Sequence, residues 1–234
     1  HRVTLTKGFF LGVHPVTQAQ LDAVMDYDES HFKGANRPVE QVSSSRAYDL
    51  CYRLGTSQEP RLEVRLPSEA EWEWACRAGT TTEYFFGNEI NTGLANYDGS
   101  PNGEYREMTT VVGSFPCNAW GLFDLHGNVW EWCEDEWDEH FYQHSPTHDP
   151  MCEVGGRRVL RGGSWLDYPV DAVHPVGIQL GDTAKTTPMV VACASVSIGH
   201  VAARLVSFAA VAIVAGNPTG VAHAPSPIAC ARAR

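Results

Sequence analysis

The sequence predicts an α+β fold with much irregular structure, and three observations predict it. Capped helix signals occur before Gly79. Residues 1–12, HRVTLTKGFFLG, alternate Val3 and Leu5 before a glycine, as an early strand or hairpin arm does. From Gly79 to Trp165, glycine, proline and asparagine punctuate short apolar runs in AGTTTEYFFGN, NYDGSPNG, SFPCNAWG and RGGSW, the pattern of short strands joined by long ordered loops. No internal repeat is present.

The helices follow in order. The first starts at Val16-Thr17-Gln18-Ala19-Gln20-Leu21, where Thr17 caps, Gln20 reaches back to it and Val16 staples onto Leu21. Leu21, Val24 and Met25 form its apolar stripe. The second runs from Ser44 to Leu54, capped by Ser43 and stopped by Gly55, with Ala47, Leu50, Cys51 and Leu54 on one face. Cys51 is therefore expected in the core. The third lies in LPSEAEWEWACRAG. Ser68 caps, Glu71 completes the capping box and Gly79 supplies the left-handed stop. Ala70, Trp74 and Ala78 line one face, and Glu73 pairs with Arg77 at i, i+4.

Composition divides the chain near Tyr168-Pro169. Of 24 aromatic residues only Phe208 lies beyond it, no Glu follows Glu153, and the last 66 residues hold 26 Ala and Val. Residues 1–168 carry a formal charge of −13 and residues 169–234 carry +2, which together give the −11 of the chain. That balance argues against a nucleic-acid or anionic-membrane surface and suits a metal ion or a basic peptide partner. Seven cysteines, an odd number without a C-x-x-C pair, form neither a disulfide framework nor a zinc signature. The apolar stretch from Val190 to Gly216 is long enough to cross a bilayer, but Arg204 at its middle costs roughly 2.5–3.5 kcal/mol, so no membrane anchor is expected. The start at His1, with no initiator methionine and no basic-then-apolar leader, leaves the compartment open.

Residues 125–137, LHGNVWEWCEDEW, place three tryptophans and four carboxylates in thirteen positions. Indoles favour burial, and carboxylates resist it unless a cation or hydrogen-bond donor meets them. Either the acids are solvated while the indoles face inward, or a cation sits among them.

The ordered motifs PVTQAQ, RPVEQVS, RLPSEAEWEWACRAG, GLFDLHGNVWEW and RVLRGGSW resemble the formylglycine-generating-enzyme, or sulfatase-modifying-factor, family over residues 1–168. The resemblance implies a compact α+β fold related to C-type lectins. It also implies a domain incomplete at its C-terminal end, with residues 169–234 an atypical Ala/Val-rich tail. In that family a calcium ion sits under the motif matched here by DLHGNVWEW. The implied ligands are the Asp124 side chain, the Gly127 and Val129 carbonyls and the Glu131 carboxylate, a mixed oxygen set that suits calcium. Trp130 and Trp132, alternating with Glu131, then point to the opposite side, into the core. A second family calcium site begins at the step matched by Ala95-Asn96-Tyr97. Its later Asp-Gly-Phe partner is missing, with Gly103-Glu104-Tyr105 nearby.

The best-known members of the family oxidise a sulfatase cysteine to formylglycine with molecular oxygen and copper held by two cysteines. The resemblance places those cysteines at positions occupied here by Ala172 and Gly177, and a Cu(I) site needs soft thiolates. Copper is therefore not expected, and no catalytic residue is assigned. Ser44 also stands where the family motif has tryptophan. His140, His144 and His148 recur every four residues, but Pro146 interrupts any helix there. The resulting expectation is a calcium-stabilised, non-catalytic module that binds a protein or peptide, or a damaged copy of the family. The alternative is the copper- and oxygen-dependent oxidase. The tail composition matches a GC-rich gene read out of frame from near Tyr168–His174, an expectation that carries unpaired core strands with it.

Overall fold

Three helices and a short strand open the chain, and β strands close it. The structure, a computed structural model, describes residues 2–56 and 64–172. Beyond them it describes the backbone of strands at 176–179, 189–190 and 211–214. Strand β1 (Phe9–Gly12) precedes α1 (Gln18–Asp22), α2 (Ser44–Thr56) and α3 (Glu69–Arg77). Then come β2 (Trp130–Glu136), the single turn α4 (Phe141–His144), β3 (Arg157–Arg161) and a 3-10 turn at Pro169–Ala172. β4 (Val176–Gln179), β5 (Met189–Val190) and β6 (Val211–Val214) complete the order.

Local chemistry sets the helix ends. Thr17 accepts the Gln20 N–H while the Gln20 side chain accepts the Thr17 N–H, and Ser68 and Glu71 close the same reciprocal box on α3. The Ser43 hydroxyl accepts the Arg46 N–H ahead of α2. At the end of α3 the left-handed residue is Ala78 (φ 45°), one position before the glycine expected there, and Gly79 follows with φ 90°. The buried face of α3 is also rotated from the expected one. Glu71, Trp72, Ala75 and Cys76 go inward, while Trp74 is half-buried against Phe9 and Trp120. Glu71 tolerates burial because Arg65 grips both its oxygens at 2.7 Å.

Strand β2 runs between two apolar clusters and sorts its side chains with period two. Trp130 and Trp132 join Leu21, Met25, Leu50 and Leu160 on the side of α1 and α2, with Cys51 in the same core. Cys133 joins Phe9, Leu11, Trp72 and Leu125 on the side of α3. Fully burying one such large apolar side chain contributes roughly 1.5–3 kcal/mol, so these clusters hold the helices to the sheet. Each indole also finds a partner: Trp132 Nε1 donates to the Val42 carbonyl at 2.9 Å and Trp130 Nε1 to Asp167 at 2.8 Å.

The main sheet has the order β4-β3-β2-β5, and a second sheet pairs β1 with β6. Antiparallel β4 covers β3 from Arg157↔Gln179 to Leu160↔Val176, and β6 covers β1 from Phe9↔Val214 to Gly12↔Val211. Segments from the Ala/Val-rich tail thus pair with β1 and with β3. The remainder of that tail, including Cys193, Cys230 and most of the Val190–Gly216 run, lies outside the described residues. Among the described residues, no helix is long and apolar enough to cross a membrane.

Candidate functional site

The 124–131 loop turns on three left-handed residues, Asp124 (φ 58°), Gly127 (φ 75°) and Asn128 (φ 65°). Gly127 is required twice over. Its φ favours glycine, and a Cβ there would lie 2.3 Å from the Asn96 carbonyl oxygen. Asn96 and Gly127 form a parallel bridge, the Asn128 N–H donates to the Asn96 carbonyl at 2.7 Å, and the Gly127 N–H donates to the Gly162 carbonyl at 2.7 Å. The loop is thus fastened on one side to residue 96 and on the other to the glycines that follow β3.

This fastening buries two carboxylates. Asp124 is 5 % exposed; its Oδ2 accepts the Gly113 N–H at 2.6 Å, and its Oδ1 is buried with no hydrogen-bond partner. Burial pushes its carboxyl up to about 6, with the Gly113 N–H opposing. Glu131 is 1 % exposed and accepts the Trp72 indole N–H at 2.8 Å. Burial pushes it up to about 8, the Trp72 bond opposes, and the neighbouring Asp124 charge pushes it further. The ordinary remedy for a buried carboxylate is an arginine, as at Glu71, yet Arg161 meets Glu73 and, at 3.6 Å, Glu69. Asn96, fully buried, donates from Nδ2 to the Met108 carbonyl at 2.9 Å and to Asn128 Oδ1 at 3.3 Å, while its own Oδ1 has no partner. An orphaned buried acceptor costs about 1–3 kcal/mol, more when charged. Oxygens left in this condition fit a hard cation with oxygen ligands.

Asp124 and Glu131 are both buried carboxylates of this loop, and Asn96, expected to mark a separate site, pairs through its backbone with Gly127. The Gly127 carbonyl accepts the Val129 N–H at 2.9 Å, and Val129 is buried among the first core cluster. Sequence reasoning did not find Trp72 and Gly113, which steady the two carboxylates. They lie 59 and 11 positions away, and no spacing signal marks a contact made only by the fold.

His126 sits at the back of the same loop. Its Nδ1 faces the Ala172 carbonyl at 3.0 Å, and its Nε2 faces the Phe85 N–H at 3.4 Å and the Cys76 sulfur at 3.6 Å. Burial pushes the imidazole down to about 4 and the Cys76 thiol far up, so neither a thiolate nor an imidazolium forms near neutral pH. A nucleophilic Cys–His pair needs the opposite shifts. Cys76 and His126 line a small cleft together with Arg77, Arg161 and Ala172. His140 lies exposed beside Glu139, His144 ends α4, and His148 bridges to Thr4.

Comparison with known proteins places this geometry. Residues 1–179 match the sulfatase-modifying factor enzyme 1-like domain. Among curated proteins, the serine/threonine-protein kinase Pkn1 of Chlamydia trachomatis is 35% identical over 194 residues, covering 73% of this chain and 30% of the kinase. The formylglycine-generating enzyme of Streptomyces coelicolor is 40% identical over 142 residues, covering 56% of this chain and 43% of the enzyme. The chaperone protein LppX of Paenibacillus barcinonensis is 28% identical over 212 residues, covering 70% of this chain and 71% of LppX. This chain spans about 30% of the length of the kinase relatives that it matches. Among solved structures, Treponema denticola variable protein 1 superposes with TM-score 0.69 at 26% identity, covering 82% of this chain and 86% of that one. PvdO from Pseudomonas aeruginosa superposes with TM-score 0.70 at 25% identity, covering 83% and 82%. The chain belongs to the sulfatase-modifying-factor, formylglycine-generating-enzyme-like domain family, with that family's mixed and largely irregular α+β fold.

Proposed function

We propose that this chain is a calcium-stabilised, non-catalytic binding module. The observation that carries the calcium is the partnerless Oδ1 of buried Asp124 beside buried Glu131. Asp124, Glu131 and the carbonyls of Gly127 and Val129 would hold the ion, with Asn96 Oδ1 as a further oxygen from the neighbouring segment. The ion supplies a positive charge that removes the penalty of two buried anions. The chain's own residues do the rest: Trp72 and Gly113 orient the carboxylates, and Gly127 admits the Asn96 segment.

Three observations favour binding over oxidation. No cysteine occurs between Cys152 and Cys193, so the segment after Gly-Gly-Ser-Trp offers no thiolate pair for Cu(I). Cys76, which lines a cleft together with Ala172, is buried and held as the neutral thiol. A relative covered over 71% of its length is named a chaperone protein. The kinase activity of the Pkn1 relatives is not transferred, because this chain spans so little of their length.

The test is a thermal melt of wild type and Asp124→Ala, each in calcium and in chelator. An ion that binds only the folded state at about 100 times its dissociation constant adds roughly 2.7 kcal/mol. Wild type should gain and Asp124→Ala should not. Identical wild-type curves in calcium and chelator refute the calcium.

A further inference from the structure

The segment from Met108 to Val112 is joined to the chain between α1 and α2, and Arg37 makes much of that join. The Arg37 N–H donates to the Gly34 carbonyl at 2.8 Å, and the Arg37 carbonyl accepts the Gln18 N–H at 3.0 Å, so its backbone is fixed on both sides. Its guanidinium reaches across to the other segment. Nη1 donates to the Thr109 carbonyl and, at 3.3 Å, to the Thr109 hydroxyl, while Nη2 lies 3.6 Å from the Met108 sulfur. All three acceptors are neutral, and a thioether sulfur is a weak one. The Val112 N–H donates to the Asn36 carbonyl at 3.0 Å and closes the join from its other end. Behind it, the Met108 carbonyl accepts Asn96 Nδ2 at 2.9 Å and the Thr110 N–H donates to Asn128 Oδ1 at 2.8 Å. Met108 is also open to solvent. It is 41% exposed, whereas Met25 is 6% exposed within the first core cluster and Met151 is half-buried.

We propose that Met108 is a site of reversible oxidation by peroxide, and that the Arg37 guanidinium receives the sulfoxide oxygen. The inference goes beyond the calcium reading and does not depend on it. With hydrogen peroxide, the sulfur lone pair attacks one peroxide oxygen; the O–O bond breaks as the S–O bond forms. The hydrogen of the transferred oxygen passes to the departing oxygen, which leaves as water. Sulfur loses two electrons and the peroxide gains them. The new oxygen is a far better acceptor than the sulfur that carries it. One bond out from a sulfur 3.6 Å from Nη2, it reaches the ordinary N–H···O range of about 2.7–3.2 Å. A charged donor makes that bond stronger than a neutral one would. Inside an apolar core a sulfoxide disrupts packing; at Met108 it meets solvent and a guanidinium, and it tightens the join that frames residues 96 and 128. Methionine sulfoxide reductases reverse the step.

The experiment treats the full chain with hydrogen peroxide in chelator for increasing times, follows each methionine by peptide mass spectrometry and melts each sample. Met108 should be converted before Met25 and Met151. Oxidised wild type should melt roughly 2–4 °C above the reduced protein, the shift that about one net hydrogen bond gives in a chain of this length. Met108→Leu, a swap of similar volume without a sulfur, should show no such rise after peroxide. Arg37→Leu should show none either, because its sulfoxide has no guanidinium to meet. Conversion of Met25 or Met151 ahead of Met108 overturns the proposal, and so does an oxidised wild type that melts at or below the reduced one. A rise of equal size in Met108→Leu or Arg37→Leu overturns it too. The wild-type and Met108→Leu arms decide even where Arg37→Leu does not fold. Because every melt is made in chelator, failure here leaves the calcium reading standing.

Discussion

Replacing Glu131 with glutamine should stabilise the metal-free protein, although it alters one of the most buried residues in the chain. In the unfolded chain Glu131 ionises near its ordinary 4.5; in the metal-free fold burial pushes it to about 8. The folded state then holds a proton that the unfolded chain has released, so stability present at low pH is lost as pH rises from about 4.5 to about 8. At pH 7 the loss is on the order of 3 kcal/mol. Glutamine removes the ionisable group, and its amide oxygen still accepts the Trp72 N–H that Glu131 accepts at 2.8 Å. Metal-free Glu131→Gln should therefore gain on the order of 2–3 kcal/mol, or roughly 4–12 °C in melting temperature. It should also lose the gain from calcium, so that the two proteins converge in calcium and separate in chelator. The assay is calorimetry at pH 7 with and without chelator. A glutamine variant that melts below wild type in chelator, or gains as much from calcium, refutes the reasoning.

Further expectations concern the frame of the site and the tail. Gly127→Ala drives a Cβ to 2.3 Å from the Asn96 oxygen at φ 75° and should cost at least about 3 kcal/mol by urea denaturation; a loss under 1 kcal/mol would show that the loop opens freely. Asp135, pushed up to about 6 by burial, accepts the Glu69 N–H at 2.6 Å and the Cys152 N–H at 3.1 Å. Its stabilisation is present at acid pH and lost as pH rises through about 6, so Asp135→Asn should compare better with wild type at pH 7.5 than at pH 4.5 in urea melts. An unchanged difference would contradict the shift. A cysteine-containing sulfatase peptide incubated with the protein and copper should show no aldehyde by mass spectrometry, and its appearance would revive the oxidase reading. Translating the other two frames downstream of Trp165 should give an arginine-rich stretch ending in Gly-Phe-Arg if the tail arose by a frameshift. If neither frame does so, residues 169–234 are a genuine extension.

What could be read from the sequence was local. The capping boxes at Thr17 and Ser68 involve residues three apart, and both formed as written. The alternation of Trp130 and Trp132 with Glu131 set which side of β2 each side chain takes. The rotation of α3 was not legible, because Trp72 and Trp74 are equally apolar and the choice depends on where Arg161 and Glu131 arrive. Arg161 places its guanidinium over the Trp72 ring at 4.9 Å, and Glu131 accepts its N–H. The pairing of β6 with β1 joins residues some 200 positions apart and left no periodic trace in an Ala/Val-rich segment. The acidic loop was legible as a candidate cation site because its residue types are costly to bury. That Asn96 belongs beside it depended on the chain returning to Gly127, a contact that only a glycine permits.

The central claim is tested most directly by calorimetric titration of calcium into chelator-stripped wild type and Asp124→Ala. The account predicts saturable binding to wild type that is absent from the alanine variant. No binding by wild type, or equal binding by both, would contradict it.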